Sequence, residues 1–217
     1  MIEIRGERMF SRTENFKQYT KLYPVVSTLL AINIIIFVLS LLPVLGDYIY
    51  FYGIGYNYSI SQGEYWRIVT PMFLHLNFLH LIFNMFSLYL FGPELEQLAG
   101  KARFLTIYFL AGLVGNIATY LIYPLTHQSL GASGAIYGIL GAFGALVYYT
   151  KHIFPQLKQI IVPIIVIGVI MTFVQPNINV TAHIAGLITG FILGFIYFHP
   201  KRIAAWKKKR QKFNVVK

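Results

Sequence analysis

The chain has 217 residues, 57% hydrophobic and only 12% charged, with a mean hydropathy of +0.62. A soluble domain carries about twice that share of charge, near 25%, so clustered apolar residues here exclude an ordinary soluble protein. The formal net charge is +11 and cysteine is absent, which excludes a disulfide framework, a thiolate metal site and a cysteine nucleophile.

Residues 1–23 form a short polar arm of mixed charge. It is too small for a domain and lacks the apolar run of a cleavable signal peptide. Stretches 22–46, 68–93, 104–150 and 159–200 then contain no Asp, Glu, Lys or Arg. A helix crosses the hydrocarbon core with about 20 apolar residues. The first two stretches therefore hold one span each and the last two hold two each. This predicts an all-α polytopic membrane protein whose core, 24–198, has six spans near 24–45, 69–91, 103–123, 132–150, 159–174 and 180–198. Residues 46–68 are rich in Tyr, Gly and Phe and read as an outer loop lying in the headgroup layer, where Tyr and Trp concentrate. Gly92-Pro93 reads as a cytoplasmic turn, and residues 199–217 as a basic tail.

The basic residues partition with this count. Arg5, Arg8, Arg12, Lys17 and Lys21 precede span 1, Lys101 and Arg103 lie between spans 2 and 3, Lys151 and Lys158 lie between spans 4 and 5, and eight more follow span 6. Six spans put all of them on one side and leave Arg67 on the other. The positive-inside rule then predicts a multi-pass cell-membrane protein with both termini in the cytoplasm. The tail, with Lys207-Lys208-Lys209-Arg210, is expected to orient the protein and touch anionic lipid rather than nucleic acid.

Polar side chains inside spans line sites or join helices. Span 2 carries His75, His80 and Asn84, span 4 carries Ser133 in Gly131-Ala132-Ser133-Gly134, and span 6 carries His183 in Ala182-His183-Ile184-Ala185-Gly186. All three spans run inward from the outer face, so these groups share the outer half of the bundle. A serine at a helix N-terminus has free backbone N–H groups beside it, which suit an oxyanion. The same residues also read as packing: Gly134 and Gly138 on span 4, and Gly186, Gly190 and Gly194 on span 6, are small-residue spacings that bring membrane helices together. His183 alone reads equally as a structural histidine. Tyr137 lies one turn after Ser133 on the same face, either against the imidazole or as a core aromatic. A metal would need more than these histidines, since neither a carboxylate nor an HExxH pattern accompanies them; no metal or cofactor is expected. The seven acidic residues all lie outside spans 4 and 6, so a Ser–His pair has no carboxylate partner and forms a dyad.

Together these motifs resemble the rhomboid family of intramembrane serine proteases. Trp66-Arg67 resembles its loop motif, His75, His80 and Asn84 its second-span pattern, Leu95-Glu96 the element after it, Gly131–Gly134 its GxSG nucleophile motif and Ala182–Gly186 its base-bearing span. The resemblance covers about 24–198 and implies a compact six-helix rhomboid-like bundle. It implies Ser133 as nucleophile, His183 as general base, and His80, Asn84 and the Ser133 backbone N–H as the oxyanion hole. It further implies Tyr137 stacked on His183, with Trp66, Arg67 and Glu96 in supporting roles. Transmembrane protein segments are the expected substrates, reaching the site past span 5 or the outer loop. Two other readings stand beside this one: a rhomboid-like protein that binds transmembrane clients without cutting them, and a small transporter relaying protons through His75, His80 and His183. The first would be expected to lack the Ser or the His, and the second predicts internal repeats, which are not seen.

Overall fold

The computed structural model describes residues 10, 12–176 and 178–201. The basic tail beyond residue 201, together with Arg5 and Arg8, lies outside the described residues.

α1 (Phe16–Leu22) opens on a capping box: Asn15 accepts the Gln18 N–H at 2.9 Å and Gln18 accepts the Asn15 N–H at 3.1 Å. The chain then bends by 112° into α2 (Pro24–Ser40). Pro24 takes the first helical position, where its missing N–H has no intrahelical partner to lose. The outer loop is not irregular. It folds as α3 (Leu45–Gly53), a two-residue strand β1 (Gly55–Tyr56), α4 (Asn57–Ser61) and two short 3₁₀ turns, Tyr65–Ile68 and Thr70–Phe73. α5 (Phe78–Ala99), α6 (Lys101–Ile122), a strand β2 (Gln128–Ser129), α7 (Ser133–Thr150), α8 (Pro155–Val174) and α9 (Val180–Tyr197) complete the chain.

α5 to α9 are each long and apolar enough to cross a bilayer. α2, with 17 residues, sits at the short end of the spanning range and supplies the sixth. The outward side chains suit lipid: Ile35 on α2, Phe83 on α5, Leu121 on α6, Ile167 and Phe173 on α8 and Ile192 on α9 are all exposed.

Four boundaries differ from the sequence expectation, the first being the end of span 1, which falls at Ser40 rather than near residue 45. The second span starts at Phe78 rather than near residue 69, because Pro71 sits in a 3₁₀ turn and Asn77 caps the helix, accepting the His80 N–H at 2.9 Å. His75 is therefore not in a span; it precedes α5 and is buried. The turn expected at Gly92-Pro93 does not exist: α5 runs through it and ends at Gly100, whose φ of +85° suits glycine. Proline removes the N–H that would bond the carbonyl four residues back, here that of Tyr89. The N-terminal arm replaces the loss. Tyr19 Oη donates to the Tyr89 carbonyl at 3.4 Å and Arg12 Nη2 to the Leu90 carbonyl at 2.9 Å. Arg12 also pairs with Glu94 at 3.0 Å. Finally, α8 starts at Pro155, four residues before the expected position, again with proline in the first turn.

α7 is the most buried of the long helices and packs on α5, α6, α8 and α9. At the end nearest the α5–α6 turn the core is aromatic: Phe104, Tyr108 and Phe143 are fully buried, and Phe91 meets Phe143 edge-on at 6.4 Å. Along the α7–α9 contact the two backbones meet directly at glycines. A Cβ added at Gly186 would collide with the Gly134 carbonyl, and one at Gly190 with the Gly138 carbonyl. Because the obstacle is backbone, it cannot rotate away. Gly190→Ala is accordingly expected to destabilise the bundle by about 1–3 kcal/mol through overpacking, measured as lowered resistance to thermal unfolding in detergent micelles; an unchanged transition would mean that the helices separate freely.

Candidate active site

The outer loop is stapled to the connection that leads into α7. β1 and β2 pair antiparallel, with Gly55 opposite Ser129 and Tyr56 opposite Gln128. The Asn57 N–H donates to the His127 carbonyl at 3.1 Å and the Tyr58 N–H to the Leu125 carbonyl at 2.8 Å. Just before α7 the Gly131 N–H donates to the Pro71 carbonyl at 2.8 Å. Gly131 has φ of +126°, a left-handed conformation that other residues rarely adopt. This glycine turn delivers Ser133 to the first position of α7, where backbone N–H groups have no intrahelical acceptor.

The same turn brings α5 close. A Cβ at Gly131 would lie 2.8 Å from His80 Nε2 and 3.7 Å from Ser133 Oγ, so the imidazole and the hydroxyl face one point in space. The Leu76 N–H lies 3.5 Å from His80 Nδ1, a long contact; a neutral imidazole that accepts there carries its proton on Nε2, which with Cε1 faces Gly131. Asn84 is buried one turn further along α5, with its Nδ2 donating to the His80 carbonyl at 2.8 Å. His75 lies edge-on to His80 at 5.2 Å between ring centroids.

His183 is on the first turn of α9, buried, with Asn179 capping that helix by accepting the Ala182 N–H at 3.0 Å. Gly134 packs against the Ala182 backbone and Gly186 against the Gly134 backbone, so the turns bearing Ser133 and His183 abut. Tyr137 stacks on the His183 ring at 4.1 Å and 18°.

Residues 62–200 match the Rhomboid domain. The chain belongs to the rhomboid family. Its sequence is 41% identical to the Bacillus subtilis protein YdcA over 181 residues, 82% of this chain and 91% of that protein. It is 39% identical to the rhomboid protease GluP of the same species over 137 residues, 63% of this chain but only 27% of the relative. Over 135 residues it is 29% identical to the rhomboid protease GlpG of Haemophilus influenzae, covering 60% and 68% of the two chains. It is a multi-pass membrane protein of an intramembrane-protease family.

In this rhomboid the remaining residues singled out from the sequence lie apart from Ser133. Arg67 is buried in the outer loop, ion-paired with Glu64 and donating Nη1 to the Ile54 carbonyl at 2.9 Å. Trp66 is half exposed and donates Nε1 to the Tyr52 carbonyl at 3.1 Å. Glu96 is at the opposite end, where its carboxylate accepts the Val25 and Val26 N–H groups at 3.2 and 2.9 Å. That caps the start of α2 with a negative charge. Thr172, by sequence only a scattered polar residue of its span, is buried against His183, its Oγ1 2.9 Å from Nδ1. The available signal was depth: beyond Gln159, Thr172 is the one side chain of its span able to form a hydrogen bond, and it lies at the same outer level as His183.

Proposed function

We propose that this protein is an intramembrane serine endopeptidase that hydrolyses peptide bonds in or near transmembrane segments. The observation that carries the reading is the abutting of the Ser133 turn and the His183 turn, with Tyr137 clamping the imidazole face. Ser133 attacks the scissile carbonyl while His183 Nε2 takes its proton. The tetrahedral oxyanion is met by the Ser133 N–H, by His80 Nε2–H and by the Asn84 amide, which turns from the His80 carbonyl to do so. His183 then protonates the leaving amine, and a water activated by the same imidazole frees the serine. No carboxylate takes part, so the pair works as a dyad.

The bilayer shapes the substrate. A transmembrane helix has every backbone group bonded within itself, and its carbonyls are shielded until it unwinds. Segments with small or helix-breaking residues near their outer end meet this demand. The site lies at the end of the bundle opposite Lys101, Arg103, Lys151 and Lys158; the positive-inside rule places that end on the outer side and both termini in the cytoplasm.

A fluorophosphonate probe, which phosphonylates activated serines with loss of fluoride, tests the reading together with a panel of single-span reporters. The wild type is expected to be labelled and to cut at least one reporter, and Ser133→Ala to do neither. Labelling of Ser133→Ala equal to that of the wild type would sink the proposal.

A further inference from the structure

Thr172 is the only hydroxyl on α8, a helix that is otherwise mostly exposed to lipid, and it is 1% exposed. Four short polar contacts meet there. Tyr137 Oη lies 2.6 Å from the Gly168 carbonyl and 2.7 Å from Thr172 Oγ1. Thr172 Oγ1 lies 2.9 Å from the Gly168 carbonyl and 2.9 Å from His183 Nδ1.

Proton counting decides how this cluster is wired. The Gly168 carbonyl only accepts, while each hydroxyl brings one proton. If Nδ1 were bare, two protons would serve four contacts. Were the threonine proton then spent on Nδ1, Thr172 Oγ1 and the Gly168 carbonyl oxygen would face each other at 2.9 Å with no proton between them, wherever the tyrosine proton went. If Nδ1 carries a proton, three protons serve the cluster. Thr172 donates to Gly168 and accepts from His183 Nδ1–H, and the Tyr137 proton is shared between Gly168 and Thr172. This arrangement uses the single donor and both lone pairs of Thr172.

We infer that Thr172 is a positioning residue for His183: its hydroxyl accepts the Nδ1 proton and so holds the imidazole in the tautomer whose Nε2 is free to take a proton from Ser133. The inference rests on reading His183 as the base. It gives the dyad an uncharged third member, filling with a hydroxyl the place that a carboxylate takes in the Ser–His–Asp arrangement. It also makes the base depend on three helices at once, because Tyr137 is on α7, Thr172 on α8 and His183 on α9. Drawing α8 away would release Nδ1.

Thr172→Val keeps the shape and removes the hydroxyl; Thr172→Ser keeps the hydroxyl. The test reads the ¹⁵N shifts of His183 in the full chain in detergent micelles, assigned by their loss in His183→Ala, beside kcat and KM on a cleaved reporter. In the wild type Nδ1 is expected to be protonated and Nε2 bare. Thr172→Val is expected to mix the tautomers and lower kcat about tenfold, the worth of one hydrogen bond, with KM unchanged. Thr172→Ser is expected to restore both readouts, which a purely structural role would not require. A wild-type His183 carrying its proton on Nε2 overturns the inference without any variant, so it stays testable if Thr172→Val fails to fold. Wild-type tautomer and kcat in a folded Thr172→Val overturn it as well. A wild type that neither cuts nor is labelled, yet has Nδ1 protonated, overturns the protease reading and with it the positioning role, while leaving the hydrogen bond.

Discussion

His183→Ala and Ser133→Ala are each expected to lower kcat by about 10⁴–10⁶, with the double variant no slower than either single one. The non-additivity is the informative part. If the two side chains act as one unit, removing either leaves the other without a task, and a second deletion has nothing left to remove. If His183 were instead a structural hydrogen-bonding group and Ser133 a packing residue, the two losses would be independent and would add. KM should move little, because neither side chain is needed to hold a transmembrane segment against the bundle. The three proteins, with the wild type, are compared on one reporter at saturating substrate, and thermal unfolding of each separates lost chemistry from lost fold. Additive losses would break the dyad into two unrelated residues.

Composition and charge made the helical membrane bundle legible because a bilayer leaves few solutions. Every backbone group must be bonded internally, so each uncharged stretch long enough to span becomes a helix. The misplaced boundaries share another cause. Pro93 looked like a turn because proline is costly inside a helix, but the cost falls when something else meets the freed carbonyls. Here Tyr19 meets the freed Tyr89 carbonyl and Arg12 its neighbour at Leu90, from some seventy to eighty positions away, and local pattern carries no trace of them. Likewise His75 lay inside an uncharged stretch, and nothing in hydropathy separates a spanning helix from a buried loop that feeds one.

The candidate site was legible where spacing and depth coincide. Tyr137 follows Ser133 by one helical turn, so a stack on a base carried by a neighbouring helix could be anticipated, and the rings do stack at 4.1 Å. Thr172 stands alone in its span as a scattered polar residue, and a lone threonine usually back-bonds to its own helix. It does so here, to the Gly168 carbonyl, but the oxygen keeps lone pairs to spare. Seeing the second use required knowing that α8 turns that oxygen toward α9.

Gly131 carries the second large effect. His80→Ala is expected to lower kcat about 10²–10³-fold, the usual cost of one lost oxyanion donor, and Gly131→Ala to do comparable damage with the His80 side chain present but displaced. Two facts converge on the glycine. Its φ of +126° is strained for any side chain, and a Cβ would sit 2.8 Å from both Cε1 and Nε2 of His80. Drifting outward would break the bond from the Gly131 N–H to the Pro71 carbonyl at 2.8 Å, so the loop resists it. The imidazole must yield instead, and an Nε2–H displaced by even about 1 Å no longer meets the oxygen where negative charge develops. The loss should fall on kcat rather than KM, because the donor matters in the transition state and not in the resting complex. Both variants are read by reporter cleavage, with fluorophosphonate labelling rates as a second measure, since the probe's tetrahedral adduct uses the same donors. A Gly131→Ala protein that folds and turns over like the wild type would remove His80 from the oxyanion hole.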